Sequence, residues 1–169
     1  KKSNIFYCPA VKNLSSRIAV LKSPMNCHYK IKDGEFKPIS KNFLNVTFPH
    51  MINFKNNMMF QLSSSYVFFC EEDVQMTLTS PYFSNSPHLK YGSLIPGTFN
   101  VSKWFRNINM EFNLWDNIDE FKLKKDEDIA YVHFDSENEI QLKRFDFTER
   151  LHRIAKTCSK AGIWEKFIP

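Results

Sequence analysis

Residues 121–134 read FKLKKDEDIAYVHF, and this stretch decides the fold class. Phe121 and Leu123 alternate with lysines, which is the period-two pattern of a strand with one buried face. A charged turn at Lys125–Asp128 then leads into an apolar run that ends at Phe134. Two apolar segments on either side of a short polar turn predict an antiparallel hairpin.

Similar short segments continue in both directions from this hairpin. Val74–Thr79 alternates apolar and polar residues, and Asp33-Gly34 separates two further runs with a dipeptide that tolerates positive φ. Strands at about ten-residue spacing, joined by tight turns, are typical of an antiparallel sandwich or barrel. The sequence therefore predicts a mainly β chain, an antiparallel sandwich of jelly-roll or β-clip type.

Two more runs complete the predicted set of strands. Ile140–Phe145 follows the turn Ser136–Asn138, so we expect it to pair with the preceding strand as another hairpin. In the predicted strand Tyr66–Cys70, the run Tyr66–Phe69 is continuously apolar, so we expect both of its faces to be covered. One face would meet the core, and the other would meet the last helix, an N-terminal segment or a neighbouring subunit.

The last apolar pattern is helical and predicts one C-terminal α-helix over about residues 147–161. Asp146 is the expected N-cap, and Glu149 three residues later completes a capping box. The apolar stripe, spaced at i, i+3, i+4 and i+7, consists of Leu151, Ile154, Ala155 and Cys158. We expect this stripe to pack on a sheet or on a sheet edge.

Composition agrees with a single β-rich domain over residues 1–169. The chain has 23 Lys and Arg against 18 Asp and Glu, a net charge of +5, and 43% of its residues are hydrophobic, which is enough to build a core. Since no run approaches the roughly 18 apolar residues of a membrane helix, we expect no membrane partner. Because the chain starts at Lys1, we expect that an N-terminal segment of the full protein is missing.

Cysteine spacing argues against a zinc or redox motif. The four cysteines are Cys8, Cys27, Cys70 and Cys158, and no pair has C-x-x-C spacing. We interpret them as reduced, mostly buried thiols of a cytosolic protein. The chain has only 4 Gly, which argues against a Gly-rich phosphate cradle, and we predict no cofactor.

One pair of residues suggests metal chemistry. His133 and Asp135 stand at i and i+2 on a predicted strand, so both side chains point to the same face. This is the first part of a 2-His-1-carboxylate triad, which holds iron with open positions. The triad needs a second His, and only His152, on the predicted helix, follows. The alternative interpretation is a surface His beside a turn-capping Asp.

Basic and aromatic residues also allow a nucleic-acid interface. The candidate contact residues are Lys103, Trp104, Arg106, Arg153 and Lys156. The first three interleave cations with an aromatic ring, as a base-stacking surface would, and the last two lie on the basic side of the predicted helix. Equally, Trp104 belongs to a core with solvated charges on either side.

Several motifs resemble uncharacterised proteins encoded by tailed phages of marine bacteria and by some bacteria. The matching features are Cys8-Pro9 near the start, Ser23-Pro24-Met25-Asn26 at a strand end, Leu94-Ile95-Pro96-Gly97, and the hairpin followed by a terminal helix. The resemblance covers most of the chain. It implies a phage-type protein in the cytoplasm of the host cell or in the virion, and it implies no particular activity.

The hairpin at residues 121–134 is also similar to hairpins of cupins and of the β-clip in dUTP pyrophosphatases. The cupin likeness implies a metal-dependent enzyme that would use His133 and Asp135. The pyrophosphatase family has an Asp that activates water and a Tyr that stacks on the base. Residues 92–99 read GSLIPGTF in the corresponding region, with no acidic residue, so that activity is not expected.

The favoured prediction is an accessory or structural protein that acts through protein partners or self-association, without catalysis. Aromatic residues make up 15% of the chain, and closely spaced strands suit a rigid scaffold. The first alternative is the cupin-like metal enzyme, and the second is a nucleic-acid-binding accessory protein.

Overall fold

The computed structural model describes residues 8–9, 11–12, 18–33, 35–39, 50–54 and 57–161. Within these ranges the chain forms eleven β-strands, a 3₁₀ helix at Pro87–Lys90 and the C-terminal helix α1 (Glu149–Ala161), and Pro9, Val11 and Lys12 are helical. The strands are β1 (Ile18–Lys22), β2 (Cys27–Lys32), β3 (Glu35–Pro38), β4 (His50–Phe54), β5 (Asn57–Ser63), β6 (Gln75–Thr79), β7 (Gly92–Leu94), β8 (Gly97–Asn100), β9 (Asn109–Leu114), β10 (Glu120–Leu123) and β11 (Asp128–Asp135).

The strands assemble into three sheets. Sheet A has the order β1-β11-β6-β8, sheet B has the order β10-β2-β3, and sheet C has the order β4-β5-β9-β7. Every pairing among the described strands is antiparallel. The predicted mainly β, antiparallel architecture with a C-terminal helix is therefore confirmed.

Of the predicted hairpins, the one at Asp33-Gly34 forms. β2 and β3 pair across the turn at Asp33, whose φ of 53° is the left-handed conformation that the Asp-Gly dipeptide favours. β10 and β11, in contrast, pair with different strands: β10 lies beside β2, and β11 lies beside β1. The stretch 121–134 is thus two consecutive strands in two sheets, and the prediction that they pair with each other is wrong.

A corner joins sheets A and B into one bent ribbon. The chain passes from β1 to β2 on one side of the ribbon and from β10 to β11 on the other side. At the bend, the backbone N–H of Ser23 donates to the carbonyl of Glu127 at 2.8 Å, and the N–H of Asp126 donates to the carbonyl of Ser23 at 2.8 Å. These bonds continue the pairing across the bend, so sheets A and B are two limbs of the same ribbon.

Aromatic rings from sheets B and C interlock to form the centre of the core. The ring of Phe60, fully buried, has its centroid 4.7 Å from those of both Phe36 and Phe121. Phe112 lies 5.4 Å from Phe121, and Tyr29 lies 5.7 Å from Phe60. The inner side chains of sheet A that belong to the same core include Leu21, Met76, Leu78, Ala130, Val132 and Phe134.

The predicted strand at Ile140–Phe145 does not form. Residues 136–148 have no regular secondary structure, and the side chains of Ile140 and Leu142 are exposed. The reason is topological, because β11 already pairs with β1 on one edge and with β6 on the other. A following segment therefore finds no free edge on β11 with which to make a hairpin.

The predicted strand at Tyr66–Cys70 is also wrong. This segment joins β5 in sheet C to β6 in sheet A, and a chain that crosses between two sheets leaves the ladders of both. Phe68 packs edge-on against Phe134 of the core, with a centroid distance of 6.0 Å. The neighbouring Phe69 points elsewhere and stays half exposed, against Phe105 and Phe145. The expectation that both faces are fully covered is therefore wrong.

Helix α1 begins two residues later than predicted, and its cap is Thr148 in place of Asp146. The Thr148 hydroxyl accepts from the N–H of Leu151 at 3.3 Å, as an N-cap oxygen does. Along the stripe, Ala155 is buried while Leu151 and Ile154 are half-buried, and Cys158 lies outside the described side chains. In the described residues, no helix is long and apolar enough to cross a membrane.

We expect the aromatic centre, and not α1, to dominate stability. Phe60→Ala should lower the free energy of unfolding by about 3–5 kcal/mol, as large-to-small changes at buried aromatic positions do. Leu151→Ala should cost only about 1 kcal/mol, because a half-exposed side chain loses less apolar burial. Urea denaturation of the two variants measures both values. Equal losses would show that α1 belongs to the core.

Candidate functional site

The predicted residues His133 and Asp135 lie on the outer face of sheet A. Both belong to β11, where His133 is half-buried and Asp135 is exposed. His133 Nε2 lies 3.0 Å from the hydroxyl oxygen of Tyr82, and the two rings are nearly parallel, at 12°. Partial burial lowers the pKa of His133, because removal from water disfavours the charged imidazolium.

Tyr82 is the centre of a cluster that we call the aromatic patch. The patch consists of Val20, Tyr82, Phe83, Tyr131 and His133. The centroid of Tyr82 lies 4.8 Å from that of Phe83 and 5.1 Å from that of Tyr131, both edge-on. Val20 pairs with Tyr131 across the neighbouring strands. The exposed fractions of Val20, Tyr82 and Phe83 are 45%, 43% and 43%, so the patch is open to solvent.

A tight turn after β6 places the two exposed rings of the patch. The N–H of Tyr82 donates to the carbonyl of Ser80, and the N–H of Ser84 donates to the carbonyl of Pro81, both at 2.9 Å. The turn folds Tyr82 and Phe83 back over β11. In the sequence this region reads as a loop rich in Ser and Asn, and its two adjacent aromatic residues are the signal of exposed rings.

An ion pair lies on sheet A next to the patch. Lys22 Nζ is 2.8 Å from the Asp128 carboxylate, at the end of the ladder that joins β1 to β11. The hydrogen bond and charge of Lys22 lower the pKa of Asp128. The two opposite charges cancel at this edge, so the patch borders a neutral pair.

His152, the third residue of the predicted metal set, lies on α1. It is exposed and stands edge-on to Phe147, at a centroid distance of 5.9 Å. In the part of the chain that the structure describes, no group of three or more His, Cys, Asp or Glu side chains is arranged to hold a metal ion. In this structure the hydrogen-bond partner of His133 is Tyr82.

The predicted base-stacking residues form a packed structural contact. The Arg106 guanidinium lies 3.5 Å from the centroid of Trp104, as a cation–π pair, and Phe99 lies 5.2 Å from the same ring system. Lys103 Nζ is 3.9 Å from the carboxylate of Asp73. Because Trp104 packs against the core and is covered by Arg106, its face is not open for a base.

The basic residues of α1 are exposed. Arg153 lies 4.0 Å from Glu149 one turn earlier, which is a weak i, i+4 ion pair. Lys156 is exposed on the same helix.

Of the three described cysteines only Cys27 is buried, whereas Cys8 is exposed and Cys70 is partly exposed, so the prediction of mostly buried thiols is wrong for the described residues. Cys8, Cys27 and Cys70 are free of disulfide bonds. Burial raises the pKa of Cys27 to about 11, so this thiol is protonated at neutral pH and is a poor nucleophile. Cys70 donates its S–H to the carbonyl of Glu72 at 3.0 Å.

A buried His–Glu pair, which the sequence analysis missed, locks the corner of the ribbon. The side chains of His88 and Glu127 are 0% and 6% exposed. One carboxylate oxygen of Glu127 accepts from the N–H of His88 at 2.8 Å and from its Nδ1 at 2.9 Å, and the other accepts from the N–H of Lys124 at 2.9 Å. His88 Nε2 has no hydrogen-bond partner among the described residues. We assign this pair a structural role, because both side chains are shielded from solvent.

The chain was compared with protein families, curated proteins and solved structures. No family model, no curated protein and no solved structure matches the chain.

We expect stability to fall as the pH drops below about 6.5, the ordinary pKa of His. Burial lowers the pKa of folded His88, so the unfolded chain binds a proton first and acid favours unfolding. The His88 contribution is complete above pH 6.5 and is lost toward the lowered folded pKa. Urea denaturation at a series of pH values measures it, with a limiting slope of about 1.4 kcal/mol per pH unit for one proton.

The variant His88→Gln should reduce this pH dependence, because it removes the titrating group and keeps a side chain that can donate to Glu127. His133→Gln is the matched comparison, since the pKa of His133 is lowered in the same direction. A wild-type stability that stays level between pH 7 and pH 5 would contradict the prediction.

Proposed function

We propose that this chain is an accessory or structural protein that acts through protein contacts, with the aromatic patch as its contact surface. The observation that carries the proposal is the gathering of Val20, Tyr82 and Phe83 on one sheet face, each more than two-fifths exposed. Aromatic residues are enriched at protein interfaces, where they bury much area with few rotatable bonds. A soluble domain gains from covering such a surface.

The patch is already ordered for binding. The hydrogen bond between Tyr82 and His133 and the edge-on contact with Tyr131 hold the Tyr82 ring in one orientation. A side chain that is fixed before association loses less conformational entropy when a partner binds. The β11 strand beneath these residues is paired on both edges, so it is a rigid base.

The occupant that we propose for the patch is a second copy of the chain. A two-fold contact brings the same surface of both protomers together, so it requires a patch without a large excess of one charge. Lys22 is paired with Asp128 beside the patch, and that pair leaves no such excess there. Apolar and aromatic side chains of the two copies would cover each other.

A phage-type accessory role, in the cytoplasm of the host cell or in the virion, is part of the same proposal. It rests on the resemblance of the Cys-Pro start and the Leu94–Gly97 segment to phage-encoded proteins. Self-association through one sheet face suits a protein that contributes a repeated structural unit.

Sedimentation velocity over a range of micromolar concentrations tests the proposal. We expect a concentration-dependent species of twice the 20.0 kDa chain mass. The double variant Tyr82→Ala/Phe83→Ala should weaken self-association by about 10-fold or more, because truncated aromatic anchors at interface centres cost more than 1 kcal/mol. Leu142→Ala, which shortens another exposed apolar side chain, is the matched control and should leave association unchanged.

Two results would contradict the proposal. The first is a wild-type protein that stays monomeric throughout the concentration range. The second is a stoichiometric iron, zinc or manganese ion in the purified protein that is lost in His133→Ala, since this would favour the metal-dependent enzyme.

A further inference from the structure

The outer face of sheet B is rich in lysine. Along β2, Cys27, Tyr29 and Ile31 are buried in the core, so the residues between them point outward. The same alternation in β10 buries Phe121 and Leu123. The outward lysines of the sheet are Lys30, Lys32, Lys37 and Lys122, and Lys124 is exposed in the turn that follows β10; we call these five residues the lysine face.

The strand register brings these lysines together. Lys30 is directly opposite Lys37 on β3. Lys32 follows Lys30 on the same face of β2, at a spacing of about 6.6 Å, and neighbouring strands lie about 4.8 Å apart. Lys30, Lys32 and Lys37 therefore lie close together, and Lys122, which is opposite His28, extends the face along β10 toward Lys124.

The acidic residues on this face are already paired. Glu35 lies 3.3 Å from Lys37. Glu120 lies 2.7 Å from Lys122 and 3.2 Å from His28, and its pKa is lowered to about 2, mainly by the hydrogen bond from Lys122. Both carboxylates are thus engaged by cations of the same face.

Three lysines of the lysine face form no ion pair with a described residue, although Lys30 stands opposite Glu120 and Lys32 stands opposite Glu35, whose carboxylates are bound by Lys122 and Lys37. Among the described residues, Lys30, Lys32 and Lys124 have no carboxylate within ion-pair distance, and all three are exposed. Two exposed acids border the face: Asp33 follows Lys32 in the turn, and the carbonyl of Asp119 accepts from the N–H of Ile31. The array between them is positive.

We propose that the lysine face binds the phosphate backbone of a nucleic-acid strand. Phosphates repeat at regular intervals along such a strand, and an array of lysines at the spacing of alternate strand residues can contact several of them at once. The rings of Tyr29 and Phe36 point into the core, so the face offers cations without a stacking platform. Binding of this kind is independent of base sequence.

This inference goes beyond the protein-contact proposal, because it uses another sheet and another class of partner. The aromatic patch lies on sheet A, and the lysine face lies on sheet B. It also differs from the segment at Lys103–Arg106, whose aromatic ring is covered.

Fluorescence anisotropy with labelled oligothymidylate tests the inference at low and moderate salt. The triple variant Lys30→Gln/Lys32→Gln/Lys124→Gln should bind about 10-fold more weakly at low salt, and the slope of log K against log salt should fall by about 2. The control Lys90→Gln/Lys103→Gln/Lys143→Gln removes the same charge from other parts of the chain. It should stay close to wild-type affinity. Circular dichroism confirms that both variants are folded.

Several outcomes would overturn the inference. Equal weakening in the two triple variants would mean that net charge alone drives binding, and a larger loss in the control would place the binding surface elsewhere. Competition by poly-L-glutamate as effective as that by oligothymidylate, at equal charge concentration, would identify an acidic protein as the partner. Since Tyr82→Ala/Phe83→Ala should bind the oligonucleotide like wild type, failure of the protein-contact proposal is distinguishable from failure of this one.

Discussion

The Glu127 carboxylate is the polar interaction on which the bent ribbon depends. It is almost buried, and it accepts three N–H bonds from His88 and Lys124, while the backbone carbonyl of the same residue accepts from Ser23. A buried carboxylate is tolerated only when its oxygens are satisfied in this way. Glu127 thereby ties the 3₁₀ helix, the β10–β11 turn and the β1–β2 bend to one point.

The bend determines what the two limbs of the ribbon can do. Sheet B turns its inner rings toward sheet C, where Phe60 and Phe121 interlock, and its outer face keeps the lysines. Sheet A carries the aromatic patch over Tyr131 and His133. One continuous ribbon thus presents an apolar surface on one limb and a cationic surface on the other.

The candidate surfaces show how far sequence reasoning about sites can go. His133 and Asp135 are correctly placed on one strand face, because side chains alternate along a strand. The partner of His133 was not predictable, since Tyr82 comes from a turn 51 residues earlier. The alternation of lysines with Phe121 and Leu123 is visible in the sequence. Their position on the same sheet face as Lys30 and Lys37 depends on the order of strands in sheet B.

The sequence by itself determined those strands, turns and helices that depend on the spacing of neighbouring residues. Alternation at Gln75–Thr79 and the Asp33-Gly34 turn specify strands and a hairpin, and the spaced apolar residues near Leu151 specify a helix. Tertiary structure alone decided which strands pair. Ile140–Phe145 has a plausible strand sequence, yet both edges of β11 are taken by β1 and β6. Backbone hydrogen bonding is saturated once a strand has two neighbours, and only the tertiary structure shows which strands those neighbours are.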